Sequence, residues 1–287
     1  MTRTRLVGAV SLVALLTAAC GGGGASKPAA STITVTNSAS AAAEPDETAD
    51  WHGKMIPTYE AATSPDAIKG RDLLESQKLL ETMADGVNQS LKLPQDVPLV
   101  GRQCDTANAY WDPSDKTMTI CYEDGADALD IYTKIGDPNP AEAATNAEYA
   151  TFLHETGHMV IDLYQLPAVG REEDAADQLA AVIMLAPGPD GKVDPDSVKV
   201  VKDFAREFKE YDARDGDQIS QEQLADVHSM NLTRMYNLEC WVYGADPVAN
   251  ADLVQEGSLP QDRADGCVDE YQQMSDSWIA LLSPYLK

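Results

Sequence analysis

Read by its alternation of apolar and polar positions, the chain divides near residue 50. Before that point a single run, Leu6 to Leu16, is apolar apart from a glycine and a serine. From Gly21 to about Asp50 large apolar residues are almost absent. Beyond it the pattern organises. Lys54–Tyr59 predicts a short strand, and Pro65–Leu91 a helix with Ile68, Leu73, Leu74, Leu79, Leu80, Met83 and Val87 on its inner face. Val97–Val100, Ala107–Trp111 and Thr117–Tyr122 read as strands, the last two joined through the turn residues of Asp112–Lys116. A loop from Asp124 to Pro140 leads to Asn146–Tyr164, where Tyr149, Phe152, Leu153, Val160, Ile161 and Tyr164 recur at helical spacing. Leu166–Gly170 breaks the chain. Helices are then expected over Arg171–Leu185, Asp196–Tyr211, Gln221–Tyr243 and Asp265–Leu282, the third opening on a capping box at Ser220–Gln223. Strands early and helices late predict an α+β domain over residues 51–287. A small mixed sheet with one central helix (about 51–165) precedes a mainly helical lobe (about 166–287).

The central helix carries the chemistry, in His154-Glu155-Thr156-Gly157-His158. Positions four apart share a helix face, so His154 and His158 project side by side and can grip one metal ion. Glu155 leans to the neighbouring face, where it can take a proton from water held by that ion. A five-residue pattern arises by chance, but the chain has only four histidines and two of them fall here, on an amphipathic helix. An acidic run, Arg171–Asp177, follows after a short turn and offers a third ligand. A catalytic zinc takes three protein ligands and leaves a fourth position to water. Past His158 the helix rises about 9 Å to Tyr164, and the residues after it suffice to bring Glu173 back to the ion. Glu173 and Asp177 share a face, so one can ligate while the other hydrogen-bonds an outer histidine nitrogen. Glu172 is the alternative ligand, although carboxylates at a helix N-terminus also suit its dipole. Asp162, one turn past His158, is expected to support a ligand and not to bind metal itself.

Composition and charge add the setting. Met1–Arg5 is basic, and the apolar run after it, about a dozen residues, is too short to span a bilayer comfortably. It ends in small residues before Cys20, the pattern of a signal peptide over residues 1–19 with a lipobox. Cys20 is thus expected to be lipidated, anchoring an exported protein to the outer face of the cell membrane through a flexible tether over residues 20–50. With 21 basic against 47 acidic residues and a net charge of -26, nucleic acid is excluded as a partner. Cys104, Cys121, Cys240 and Cys267 form an even set, which in an exported chain predicts two disulfides. Of three possible pairings, Cys104–Cys121 with Cys240–Cys267 is favoured because each closes a local loop. An EF-hand reading of Asp212–Ser220 fails, with glycine one place out of register and no Glu at the twelfth position.

Three segments, His154–Asp162, Gly170–Gln178 and Glu239–Pro247, resemble a bacterial family of metallopeptidase-like proteins of largely unknown function, over most of the chain from about Gly53. More distantly the chain resembles the gluzincins, the thermolysin-like zinc peptidases. That resemblance implies a zincin-like fold and hydrolysis of a peptide or protein substrate, with Glu155 as general base. It implies zinc held by His154, His158 and Glu173, with Asp177 orienting a ligand histidine. Asn108-Ala109-Tyr110-Trp111 resembles the thermolysin-like edge-strand segment, which implies that Asn108 and Ala109 hold the substrate. In that branch a histidine of the helical lobe donates to the developing oxyanion. His228 is the candidate here, on a helix with Leu224, Val227 and Leu232 toward the core, and Tyr236 and Arg234 stand behind it. A plain hydrogen-bonded role for His228 is the competing reading. A zinc hydrolase acting on another bond, or a lipoprotein binding metal or peptide without turnover, are the alternatives, and the intact Glu155 argues against the second.

Overall fold

A computed structural model describes residues 48–216 and 218–287. The expected signal peptide, the lipidation site expected at Cys20 and nearly all of the expected tether lie outside the described residues. Among these residues no helix is long and apolar enough to cross a membrane.

The fold is α+β. Strands β1 (Met55–Tyr59), β2 (Val97–Arg102), β3 (Ala109–Asp112) and β4 (Thr117–Cys121) form one sheet in the order β1-β2-β4-β3. The first three in that order are parallel, and β3 runs antiparallel to β4 at the edge. Between β1 and β2 come α1 (Pro65–Gln77) and α2 (Leu79–Ser90). After the sheet follow α3 (Tyr122–Lys134), α4 (Pro140–Tyr164), α5 (Glu172–Met184), α6 (Pro195–Asp215), α7 (Gln221–Ala225), α8 (Asn231–Ala245), the short α9 (Asp252–Gln255) and α10 (Gln261–Ala264), and α11 (Cys267–Leu282). Helix α4 is the axis of the molecule. It packs on β3 and β4 and touches α3, α5 and α6, and its residues are buried on nearly every side. That suits a helix that is apolar almost all round.

Three expected elements differ. The helix foreseen over Pro65–Leu91 is two helices, broken at Lys78, whose φ of 51° is left-handed. Its apolar stripe jumps five positions from Leu74 to Leu79, which a straight helix would rotate off the core face. The break restores the facing, and the Tyr59 hydroxyl accepts from the freed Leu80 amide at 3.2 Å. Ile68, assigned to the inner face, is exposed. The loop expected from Asp124 is helix α3, which buries Tyr122, Ala126, Ala128, Ile131 and Tyr132. It lies so close to α1 that a Cβ on Gly70 would sit 1.6 Å from the Tyr122 carbonyl oxygen.

The helix expected over Gln221–Tyr243 is also interrupted. After the capping box at Ser220 and Gln223, α7 ends and residues 226–230 run irregularly before α8. The Asp226 side chain accepts from the His228 amide at 2.8 Å, Arg171 donates to the His228 carbonyl at 3.0 Å, and Ser229 donates to Asp174 at 2.7 Å. The first two bonds satisfy the His228 backbone without helix, and the third fastens the segment to α5. Leu224, Val227 and Leu232, expected in the core, are exposed.

The disulfides are Cys104–Cys121 and Cys240–Cys267. The first ties the segment before β3 to the end of β4, and the second ties α8 to the start of α11. Both restrain elements that frame the site.

Candidate active site

Helices α4 and α5 and the break before α8 bring four side chains to one point. Glu173 Oε2 lies 3.1 Å from His154 Nε2, 3.1 Å from His158 Nε2 and 3.0 Å from His228 Nε2. The two motif nitrogens are 3.2 Å apart. Donors held at about 2.0–2.1 Å by a tetrahedral zinc lie about 3.3 Å from one another. The spacing of His154, His158 and Glu173 therefore matches one face of such a site. Ligand atoms of His154, Glu173 and His228 also fall within 4.8 Å of one another, so His228 borders the same point.

Each ring is held from behind by a carboxylate. Asp177 meets His154 Nδ1 at 2.7 Å, Glu172 meets His158 Nδ1 at 2.8 Å, and Asp226 meets His228 Nδ1 at 2.9 Å. A carboxylate on the outer nitrogen turns Nε2 inward and makes it a better donor to a metal. Asp177 is buried and carries Arg234 in a two-pronged pair at 2.7 Å for each contact. The guanidinium stacks over the Phe208 ring, 3.9 Å from its centroid.

The electrostatics concentrate charge at Glu173. Burial pushes its carboxyl up, but hydrogen bonds from His154, His158 and His228 outweigh that and hold it far below the usual carboxylate range. Burial pushes the His154 ring down, and Asp177 and Glu173 more than reverse this, raising it to about 9. Without metal, protons occupy the positions a cation would take, so metal and protons compete here. The donor set of two imidazoles and one carboxylate, with each ring backed by a second carboxylate, suits zinc.

Helix α5 can reach the motif because Gly157 has no side chain. A Cβ there would stand 2.6 Å from the Ala176 Cα and 2.9 Å from its Cβ. Substituting Gly157→Ala pushes α5 outward and carries Glu173 and Asp177 away from the histidines. The expected cost is about 1–3 kcal/mol of stability, with weaker metal binding. An unchanged melting temperature and metal content would count against this contact.

Glu155 sits beside the cluster, and its Oε2 accepts from the Trp111 backbone amide of β3 at 2.9 Å. That bond fixes the alternation of the strand. Because the Trp111 amide points away from β4, the amide and carbonyl of Ala109 point to the same free edge. Asn108, just before the strand, turns the other way, its carbonyl accepting from Cys121 at 3.0 Å. Asn108, Ala109, Glu155 and His158 line one side of an open cleft of about 630 Å³.

Asp162 does not contact a histidine. It accepts from the Trp111 indole at 3.0 Å and from Lys116 at 2.7 Å, so it clamps the β3–β4 hairpin to α4. The role expected of it at His158 is taken by Glu172, because the side chain one turn on points toward the hairpin and α5 supplies the nearer carboxylate. Arg234 is committed to Asp177. Asp226 and the Trp111 amide were not foreseen as parts of the site. The short Asp226-Val227-His228 spacing, typical of a side chain bonding its own backbone, is the one local signal that could have found Asp226.

The fold and this cluster set a candidate metal centre on a helix beside an exposed strand edge. The family described as "Putative metallopeptidase" matches residues 59–282, and the chain belongs to that family. No curated protein and no solved structure matches the chain.

Proposed function

We propose that the chain is a zinc-dependent peptidase of thermolysin-like chemistry. The observation that carries this reading is the convergence of His154 and His158 Nε2 on Glu173 Oε2, with Glu155 alongside. A substrate peptide lies along the free edge of β3, bonding backbone to backbone with Ala109 and held by the Asn108 side chain. When bound, zinc supplies a Lewis acid for the carbonyl and an acidified water. Glu155, its Oε2 tied to the Trp111 amide, takes the water's proton on the other oxygen and passes it to the leaving amine. His228 donates to the negative oxygen that develops on the attacked carbonyl. Asp177 and Glu172 keep the ligand rings oriented throughout. Lipidation at Cys20 places this activity at the outer face of the membrane, acting on exported or external peptides.

The test is metal analysis of the purified domain together with digestion of a mixed peptide library, with and without chelator. About one zinc per chain and chelator-sensitive cleavage are expected. Stoichiometric zinc with no cleaved peptide would overturn the peptidase assignment. For His228→Ala, zinc stays and turnover falls by about a hundredfold or more, with a much smaller change in KM. A fall of less than about threefold at equal zinc makes His228 structural.

A further inference from the structure

Next to the open cleft, and sharing Glu155 with it, a second cavity of about 270 Å³ is lined by residues of α3, α4 and α6. It opens onto His154, Glu155 and the Asn108–Ala109 end of β3, so whatever fills it lies beside the reacting bond. Phe204, Phe208 and Tyr211 supply ring walls, and Asp124, Asp127 and Glu207 supply carboxylates. Asp127 is matched from outside by Arg214 at 2.7 Å, and Arg234, which lines the cavity with His154 and His228, is bound to Asp177.

Among the described residues neither Asp124 nor Glu207 forms an ion pair with a lysine or arginine; Asp124 bonds to the carboxyl of Glu148, and Glu207 accepts from Tyr211 and feels the charge of Arg234 without contact. Glu148 stands directly behind Asp124 and is 1% exposed, and its Oε2 is buried with no hydrogen-bond partner. A buried acceptor left this way costs free energy, and it lies behind the cavity wall, not on it. These carboxylates do not converge tightly enough for an inorganic ion. Among the described residues the His/Cys/Asp/Glu group with ligand atoms mutually within 4.8 Å is the one at Glu173.

We propose that this cavity is the subsite for a basic side chain, lysine or arginine, next to the bond that is cut. The proposal rests on the peptidase reading and names its substrate class. The aromatic walls take the aliphatic stem and present ring faces to the charged head. Asp124 and Glu207 supply the acceptors at the end. Burial, and then the proximity of the other carboxylates, pushes Asp124 up to about 7 and raises Glu148 and Glu207 well above their usual range. An ammonium or guanidinium group brings the missing positive charge.

The test compares peptides capped at both ends that differ only in lysine against norleucine, placed on either side of one cleavable bond. Norleucine keeps the stem and removes the charge, and the caps remove terminal charges. The lysine peptide is expected to have a kcat/KM at least about tenfold higher, and Glu207→Gln to shrink that ratio toward one. Equal or better cleavage of the norleucine peptide, or an unchanged ratio in the variant, overturns the proposal. Fluorescence anisotropy of the same peptides, labelled, gives the binding ratio independently of turnover. If neither peptide is cut, the peptidase reading fails, while tighter binding of the lysine form still supports the cavity and equal binding rejects it.

Discussion

Glu155→Gln keeps its metal and loses hydrolysis by about a thousandfold, within the range a general acid–base group supplies. Glutamine has the shape of glutamate, and its amide oxygen can still accept from the Trp111 amide that holds Glu155 at 2.9 Å. The strand edge and the ligand cluster are therefore left in place, because Glu155 makes none of the contacts to Glu173 that define the cluster. What disappears is an oxygen able to carry a proton from water to the leaving amine. Zinc content by elemental analysis and kcat/KM on a cleaved library peptide are the two measurements needed. Turnover at the unsubstituted rate would remove Glu155 from the role of base, and loss of zinc would make it a ligand.

His158→Ala has the opposite signature, with metal lost first and activity following it. His158 supplies one of three donors that lie 3.1–3.2 Å apart, and its removal opens that face of the site to water. It also strands Glu172, which bonds only the outer nitrogen of this ring among the contacts described. Loss of an outer partner typically costs ten- to a hundredfold in metal affinity, so loss of a ligand is expected to exceed about a hundredfold. Competition with a chromophoric chelator measures this directly. Full occupancy in the variant would shift the centre to His154, Glu173 and His228, whose ligand atoms also converge. The thermal unfolding of the apo forms should differ little, since the His158 side chain is partly exposed and contributes no large apolar area.

Both predictions rest on residues that could be read from the chain. The helix that bears them was legible because apolar positions recur at 3.6-residue spacing around His154 and His158, and local spacing is what places two rings on one face. Glu173 and Asp177 were legible for the same reason, as a pair four apart at a helix start. The α+β order, the edge hairpin and the cysteine pairs were also local, each closing within a few tens of residues. What the sequence alone determined is thus the set of groups that neighbour one another along the chain. Tertiary structure decided everything that depends on a contact between distant segments. Helix α3 forms because Gly70 lets it approach α1, and α5 meets the motif because Gly157 admits Ala176. His228 reaches Glu173 only because the chain leaves helical geometry at Asp226, where the Asp226 side chain and Arg171 take the His228 backbone bonds and Asp174 of α5 holds the Ser229 hydroxyl. Asp162 faces the hairpin instead of the histidines because Trp111 and Lys116 arrive there first. The acidic cavity joins carboxylates from α3 and α6, which α4 and α5 separate in sequence. No periodicity encodes that meeting, because it follows from how the helices pack.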